Sequence, residues 1–480
     1  MMHYGRTVIF QVTQPVVVDL ENLIEKMSFY FDISDLVEYA KTNGEVSGIQ
    51  RVQVSVLRNL ATEREIDDIF CAYGVKKETA VKVCRVSDLF TNEAYSASQL
   101  LLKLGIEKQN AAFSREELYS CIAKYKKRSI TRMLQKAKFL ILGRLFPRYA
   151  RTQMNLPPRS EESVRENKKI RTWTLKKCAK HDHVVMIGTN WNTSAVENIA
   201  RQHAKRGGRV SQAIYDLLPI RCPQYFNEKL HKKFSAFLNR SRSFASQYIC
   251  ISEATKNDVL DYLSDMRSDV PVKAWPLAHE FEGYQQNEKC LESTQPEHLK
   301  KIRMPFVLCV GTIEVRKNGF SLLKVWQQLL KELGDKTPQL VFAGKYGWKI
   351  EAFKKLLQED LSLQQAVTII PQATDADLAT LYQRCLFFVY PSLAEGWGLP
   401  VGEAAWFGKY SVVSSSSSLP EVCGELVDYV DPSNITEITQ SIKRAILEEE
   451  YRKQREKNIA QASLRTWKDV ALHLNQLLHI

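Results

Sequence analysis

No two of the ten cysteines are spaced as Cys-x-x-Cys, and several, such as Cys250 and Cys309, sit inside apolar runs. That spacing argues against a disulfide framework, and the thiols read as reduced and buried in a cytosolic protein. A long apolar run is also missing. The most apolar stretch, "AKFLILGRLF" (137–146), is broken by Arg144, so no spanning helix is expected. The early run "TVIFQV" (7–12) is too short for the core of a secretory leader. Acids are scarce in one place: between Arg115 and Lys180 there are 19 Lys+Arg against 5 Asp+Glu. The whole chain carries a formal net charge of +13, so this segment holds the entire excess and the remainder is near neutral.

What is present is ordinary for a globular protein. The chain has 480 residues, 44% hydrophobic and 25% charged, enough for two or three domains with proper cores. In the carboxy-terminal part, short apolar runs at 306–310, 339–344, 367–370, 386–390 and 411–413 alternate with helical patterns. Buried strands alternating with helices imply parallel pairing in a doubly wound sheet. The amino-terminal part repeats the theme more loosely at 29–33, 183–188, 210–217 and 246–252. Residues 279–305 are polar and without periodicity, as a linker should be. The fold expected is α/β, two Rossmann-like domains facing across a cleft. The first domain spans 1–295, with a basic helical insertion at about 95–180. The second spans 296–455, and a helix at 456–480 packs back on the first. Ligands of such folds sit beyond the carboxyl ends of the strands.

Two stretches lie at such ends. In "PSLAEGWGLPVGEAAWFG" (391–408), Gly396 and Gly398 permit close backbone approach, and Pro400 suits the first turn of a helix. The N–H groups of such a helix start favour a phosphate. Glu403, one turn in, can accept from a ribose diol, and Glu395 can hold sugar hydroxyls. In "VGTIEVRKNG" (310–319), Gly311 lets a ligand approach, while Arg316 and Lys317 supply a fork and a point charge suited to a diphosphate. A basic pair before a helix is by itself more often a solvated loop, and its place beside the first stretch is what raises it.

"GTIEVRKN", "FAGKYGW", "IPQATDADLATLYQRC", "YPSLAEGWGLPVGEA" and "SSSLPEVCGE" resemble, in order and spacing, the carboxy-terminal domain of family 4 glycosyltransferases of the GT-B fold. The resemblance covers roughly residues 305–450. It implies retaining transfer of a sugar from a nucleotide diphosphate sugar, with no cofactor beyond that co-substrate and no metal. By that resemblance Arg316 and Lys317 bind the diphosphate, Glu403 the ribose, and Glu395 faces the donor sugar. Gly396, Trp397, Gly398 and Leu399 line it with backbone, and Ile370 lies along the nucleobase. Trp397 stands where the family usually has phenylalanine. "FYFDISDLVEYAKTNGEVSGIQRVQ", "IGTNWN" and "YDLLPIRCPQYF" resemble the subgroup that builds bacterial surface polysaccharides, many of them mannosyltransferases. There Gly48 faces the cleft with Arg51 nearby, and Tyr215-Asp216 replaces the usual His-Asp pair. Ala278-His279 departs from the glycine common after the hinge strand.

The Asp-x-Asp at 375–377 precedes a helical pattern, so Asp375 reads as an N-cap and Asp377 as a first-turn acid rather than metal ligands. The His-Asp-His at 181–183 lacks further ligands at metal spacing, and the serines at 414–418 need no special chemistry, though Ser418 fits the family pattern. Rival readings are a GT-B-fold epimerase or phosphorylase, and a non-catalytic glycan-binding scaffold. The retention of Arg316, Lys317, Glu395 and Glu403 speaks against the last.

The basic segment has few aromatics and no nucleic-acid-binding module, so nucleic acid is not an expected partner. Ile130, Met133, Leu134, Ala137, Leu140, Ile141 and Leu145 fall near one helical face, with Lys126, Arg132, Lys136 and Lys138 around it. Two readings fit: the helical segment at about 126–148 lies in an anionic membrane surface, or it docks on the domain. The family resemblance favours the membrane, with the enzyme cytoplasmic, peripheral at the inner face, and acting on a lipid-linked acceptor glycan. Each cation near the surface should contribute about 1 kcal/mol, and the attraction should weaken as salt screens it. The wild type should therefore pellet with anionic liposomes at low salt, and a variant with Lys126, Lys127, Arg128 and Arg132 changed to Gln should not. Equal pelleting of the two, or none, shows a packed insertion.

Overall fold

The computed structural model describes residues 27–106, 169–289 and 296–479, save 44–45, 47, 63–67, 75–79, 92–94, 190, 192–193 and 265–268, together with a few residues between 131 and 139. Most of the 126–148 segment, including Lys126, Arg132 and Lys136, lies outside the described residues. Within it Met133 and Leu134 are exposed.

The first domain is an eight-stranded sheet. Its strands are β1 (Phe29–Asp32), β2 (Ile69–Gly74), β3 (Val81–Arg85), β4 (Trp173–Leu175), β5 (His183–Met186), β6 (Arg209–Ile214), β7 (Gln247–Cys250) and β8 (Val272–Ala274). They lie in the order β4-β3-β2-β1-β5-β6-β7-β8. From β2 to β8 every pairing is parallel, while β3 and β4 add an antiparallel edge. The sequence reading omitted β2, β3, β4 and β8. Their signal is weak because β4 and β8 have three residues each, and β4 is largely exposed at the edge.

The second domain has six strands: β9 (Phe306–Val310), β10 (Gln339–Ala343), β11 (Val367–Ile370), β12 (Phe387–Tyr390), β13 (Ser411–Ser414) and β14 (Asp428–Val430). All pair in parallel in the order β11-β10-β9-β12-β13-β14. Helices on both faces remove the need for alternation, so "FVLCV" and "FFVY" are buried at every position. The helix Gly319–Leu333 buries Leu322, Leu323, Val325, Trp326 and Leu329 on one face. The strand order reverses between β9 and β12. The chain leaves those neighbours in opposite directions, opening a crevice at their carboxyl ends. Residues 311–318 and 391–398 follow these two strands.

Two crossings join the domains. The first, from Trp275 onward, is less linker-like than its composition suggests, for Phe281, Leu299 and Ile302 are buried. The second follows the helix Glu449–Gln461, after which the helix Trp467–His479 lies along the helix Ile49–Thr62 of the first domain. Trp275 Nε1 donates to the Val470 carbonyl at 2.9 Å, and Trp467 Nε1 to that of Glu280 at 3.1 Å. His279 ties the crossings to the second domain. Its Nε2 donates to the Val422 carbonyl (2.6 Å) and its Nδ1 accepts from the Arg465 N–H (2.9 Å). Burial lowers its pKa, so the ring stays neutral, with one nitrogen a donor and the other an acceptor.

Candidate active site

The loop after β9 is held by backbone before its side chains are placed. Gly311 has φ +131°. A Cβ on Gly344 would lie 1.9 Å from the Gly311 carbonyl oxygen, so the loops after β9 and β10 touch main chain to main chain. Val315–Lys317 is a short 3₁₀ turn ended by Asn318 at φ +59°. The Asn318 amide donates to the Pro391 carbonyl at 3.1 Å and the Pro432 carbonyl at 2.8 Å, which offsets the cost of that conformation.

Arg316 and Lys317 then meet Glu395. Arg316 Nη1 lies 2.6 Å from Glu395 Oε2, and Lys317 Nζ lies 2.7 Å from Oε1. Arg316 also pairs with Glu314 at 2.8 Å and donates to the Ala394 carbonyl at 2.7 Å. Ser392 Oγ donates to Glu395 Oε1 at 2.7 Å, and the Tyr390 hydroxyl approaches the same oxygen at 3.2 Å while accepting from Lys317. Burial alone would raise the Glu395 carboxyl, but Arg316 and Lys317 overcome it and hold the pKa at about 2. The group is therefore an anion at neutral pH. Burial lowers the Lys317 pKa, with Glu395 opposing the shift.

The serines after β13 hold the turn that carries Glu395. Ser417 Oγ accepts from the Glu395 N–H (2.8 Å), and Ser418 Oγ bonds the carbonyls of Glu395 (2.9 Å) and Trp397 (3.1 Å). The sequence reading passed over Ser417 because a serine run at a strand end looks like low complexity. Gly398, at φ +115°, precedes the helix Leu399–Trp406, whose first turn contains Pro400. The Trp397 ring is buried, and its indole N–H has no protein partner among the described residues.

Glu403 lies on that helix, buried. The Tyr382 hydroxyl donates to its Oε2 at 2.9 Å, and Arg51 of the first domain approaches its Oε1 at 3.5 Å. Burial raises the Glu403 pKa, with Arg51 and Tyr382 opposing. Arg51 also pairs with Asp375 and lies 5.4 Å over the Phe281 ring. Asp375 is not the N-cap expected of it: Thr374 caps the helix Asp375–Arg384, and Asp377 completes a capping box with it. Threonine precedes the acid pair, and the box needs its acid three residues on, so Asp375 falls at the first helical position and is free to meet Arg51. Ile370 ends β11, buried, and its carbonyl accepts from Gly344 N–H at 2.8 Å. Gly48, φ +52°, stands just before the helix Ile49–Thr62, three residues from Arg51.

Tyr215 and Asp216 follow β6 and come to the other side of the cleft. The Tyr215 hydroxyl donates to the Ile187 carbonyl at 2.8 Å, so this side chain turns into the first domain. Asp216 accepts from the Leu218 N–H at 3.0 Å. Burial raises its pKa, and Arg316 is the strongest influence lowering it. The backbone here meets Gly396: a Cβ on Gly396 would stand 2.1 Å from the Tyr215 carbonyl oxygen and 2.9 Å from Asp216 Cβ. Glu421 closes the same interface by accepting from the N–H groups of Glu253 and Ala254, both at 2.7 Å, at the start of the helix Glu253–Ser264. Sequence signals for these were thin. Tyr382 reads as a core aromatic, and Glu314 and Glu421 read as surface acids.

Two Rossmann-like domains meet over a pair of part-buried cations at a switch point, with an acid eight residues beyond the acid that pairs with them, and this is the GT-B architecture. Residues 292–462, which contain the second domain, match the family model described as glycosyl transferases group 1. The chain is 26% identical over 262 residues to O-antigen chain mannosyltransferase B of Escherichia coli, covering 54% of this chain and 68% of that protein. It is 28% identical over 265 residues to the serotype-specific mannosyltransferase WbdA of Escherichia coli, of which it covers only 32%. The fold likeness runs the whole length. HepE of Anabaena, solved with UDP and glucose, superposes with a TM-score of 0.53 at 14% identity, covering 95% of this chain and 98% of that one. Sucrose-phosphate synthase from Thermosynechococcus elongatus does so at 0.54 and 15% identity, with the same coverage.

The Gly396 contact yields a test. A methyl at Gly396 cannot fit against the Tyr215 carbonyl, and overpacking there should cost about 1–3 kcal/mol of domain closure. Gly396→Ala should keep its circular dichroism, enlarge the radius of gyration in small-angle scattering, and lose most activity. An unchanged scattering curve with full activity contradicts the contact.

Proposed function

We propose that the chain is a retaining hexosyltransferase, with mannose the favoured sugar, that moves a hexose from a nucleotide diphosphate sugar to a growing, lipid-linked surface glycan without a metal ion. The observation that carries this reading is the Arg316–Glu395–Lys317 cluster at the switch point, where one buried carboxylate stands in for an anionic ligand between two part-buried cations. The similarity to O-antigen mannosyltransferases favours both the sugar and the surface glycan. No helix among the described residues is long and apolar enough to cross a membrane. The segment at about 126–148 is the proposed means of reaching an anionic inner membrane face.

In this reading the diphosphate takes Arg316 and Lys317, and Glu395, freed from them, accepts hydroxyls of the donor sugar. Glu403 exchanges Arg51 for the ribose diol, while the Tyr382 hydroxyl keeps the carboxylate in place. The bond between the sugar's anomeric carbon and the diphosphate oxygen breaks. The acceptor hydroxyl oxygen forms a new bond to the same face of that carbon, and its proton passes to the departing diphosphate oxygen. Arg316 and Lys317 stabilise the charge that develops there, and Asp216 lines the opposite wall.

Losing one of these cations should cost about 2–4 kcal/mol in the transition state. Arg316→Ala and Lys317→Ala should each retain the fold and lose turnover roughly 30- to 1000-fold. Near-wild-type rates in both remove the diphosphate assignment. Turnover should also survive EDTA. If EDTA abolishes it and magnesium or manganese restores it, Asp375 and Asp377 return as candidate ligands.

A further inference from the structure

The loop after β10, 344–349, is placed by main chain yet shows its aromatic side chains to solvent. Tyr346 is 44% and Trp348 41% exposed, unusual for such large apolar groups. The loop lies directly on the one that bears the cations. Ile313 and Tyr346 form a β-bridge, Gly347 N–H donates to the Ile313 carbonyl at 2.7 Å, and Val315 N–H donates to the Trp348 carbonyl at 3.4 Å. Gly347 is required here, since a Cβ would lie 2.8 Å from the Thr312 methyl and 3.1 Å from Glu314 Cβ. Lys349 is held at φ +55° with its ammonium on the Gln224 carbonyl.

From this base Trp348 reaches across the cleft. Its indole Nε1 donates to the Tyr225 carbonyl at 2.7 Å, and its ring stands 6.4 Å from that of Phe226 at 41°. Tyr225 and Phe226 are half-buried. They lie on the segment that begins with Tyr215-Asp216, so one short stretch of chain connects this rim to the wall opposite Arg316. The Tyr346 ring is backed by Lys354, with Nζ 4.6 Å from its centroid. An exposed aromatic ring fixed by a hydrogen bond at its edge, as Trp348 is, is suited to a pyranose ring. The axial C–H groups of a sugar carry slight positive charge and meet the negative face of the π system. The hydroxyls at the sugar's edge remain in water.

We propose that Trp348, Phe226 and Tyr346 form a stacking platform for the acceptor glycan at the mouth of the cleft, holding sugars behind the one that receives the transferred hexose. This rests on the glycosyltransferase reading above. It assigns the acceptor to a rim that both domains build and that exists only when they are closed. An acceptor seated there bridges the domains and favours the closed state in which Arg316, Glu395 and Asp216 face one another.

The test uses GDP-mannose as donor and mannotetraose as acceptor, with Trp348→Ala, Phe226→Ala and Trp348→Phe in the full chain. Trp348→Ala and Phe226→Ala should each raise the acceptor KM about tenfold, the size of a lost aromatic contact. Their donor KM and their slow hydrolysis of GDP-mannose without acceptor should stay within about twofold of wild type, and Trp348→Phe should recover most of the loss. Mannotetraose should also quench tryptophan fluorescence in the wild type and not in Trp348→Ala. An unchanged acceptor KM, or donor hydrolysis that falls in step with transfer, overturns the platform and leaves Trp348 as a seal between domains. If the wild type neither hydrolyses GDP-mannose nor transfers from it, the broader reading fails, and the fluorescence titration decides the platform by itself.

Discussion

Everything at this site depends on one buried carboxylate held between two part-buried cations. Glu395 neutralises Arg316 and Lys317 at once, and Glu314 balances the remaining charge, so the cluster of four sums to zero. Burying such charges is costly, and removing a single partner from a buried pair typically costs about 3–5 kcal/mol. The empty protein therefore needs Glu395 where it is, and a diphosphate entering the site replaces one anion by another. The sign of the pH dependence follows. With its folded pKa held at about 2, below the unfolded value, Glu395 contributes stability that is fully present above about pH 4.3 and is lost as pH falls toward 2.

The same logic extends across the cleft. Arg51 reaches from the first domain to Glu403 and Asp375, Glu421 reaches from the second to the start of the helix Glu253–Ser264, and Gly396 lies against the Tyr215 backbone. These contacts are mostly polar, as is usual between domains of one chain. One of them involves Glu403, assigned above to the donor, and another involves Gly396, the neighbour of Glu395. In the proposed reading, ligand binding and domain closure are coupled through the Glu403 carboxylate rather than through a separate switch.

Much of this was legible in the residues. Continuous apolar runs such as "FVLCV" mark parallel strands covered on both faces, and glycines beside acids mark the crevice. Motif order added the resemblance to a family and with it an expected role for each charge. What the sequence could not show were pairings between distant residues. Nothing local places Arg51 against Glu403, 352 positions away, or Ser417 under Glu395. The short strands β4 and β8 were missed because three residues carry too little periodicity. Asp375 was read as a cap because a helix start announces only that some side chain caps it, and Thr374 is one residue earlier.

The most direct measurement is a crystal structure of the protein with a bound nucleoside diphosphate. The phosphates should lie against Arg316 and Lys317, with Glu395 withdrawn from both cations and Glu403 on the ribose hydroxyls in place of Arg51. A diphosphate bound elsewhere, with the Arg316–Glu395 and Lys317–Glu395 pairs intact, would contradict the central claim.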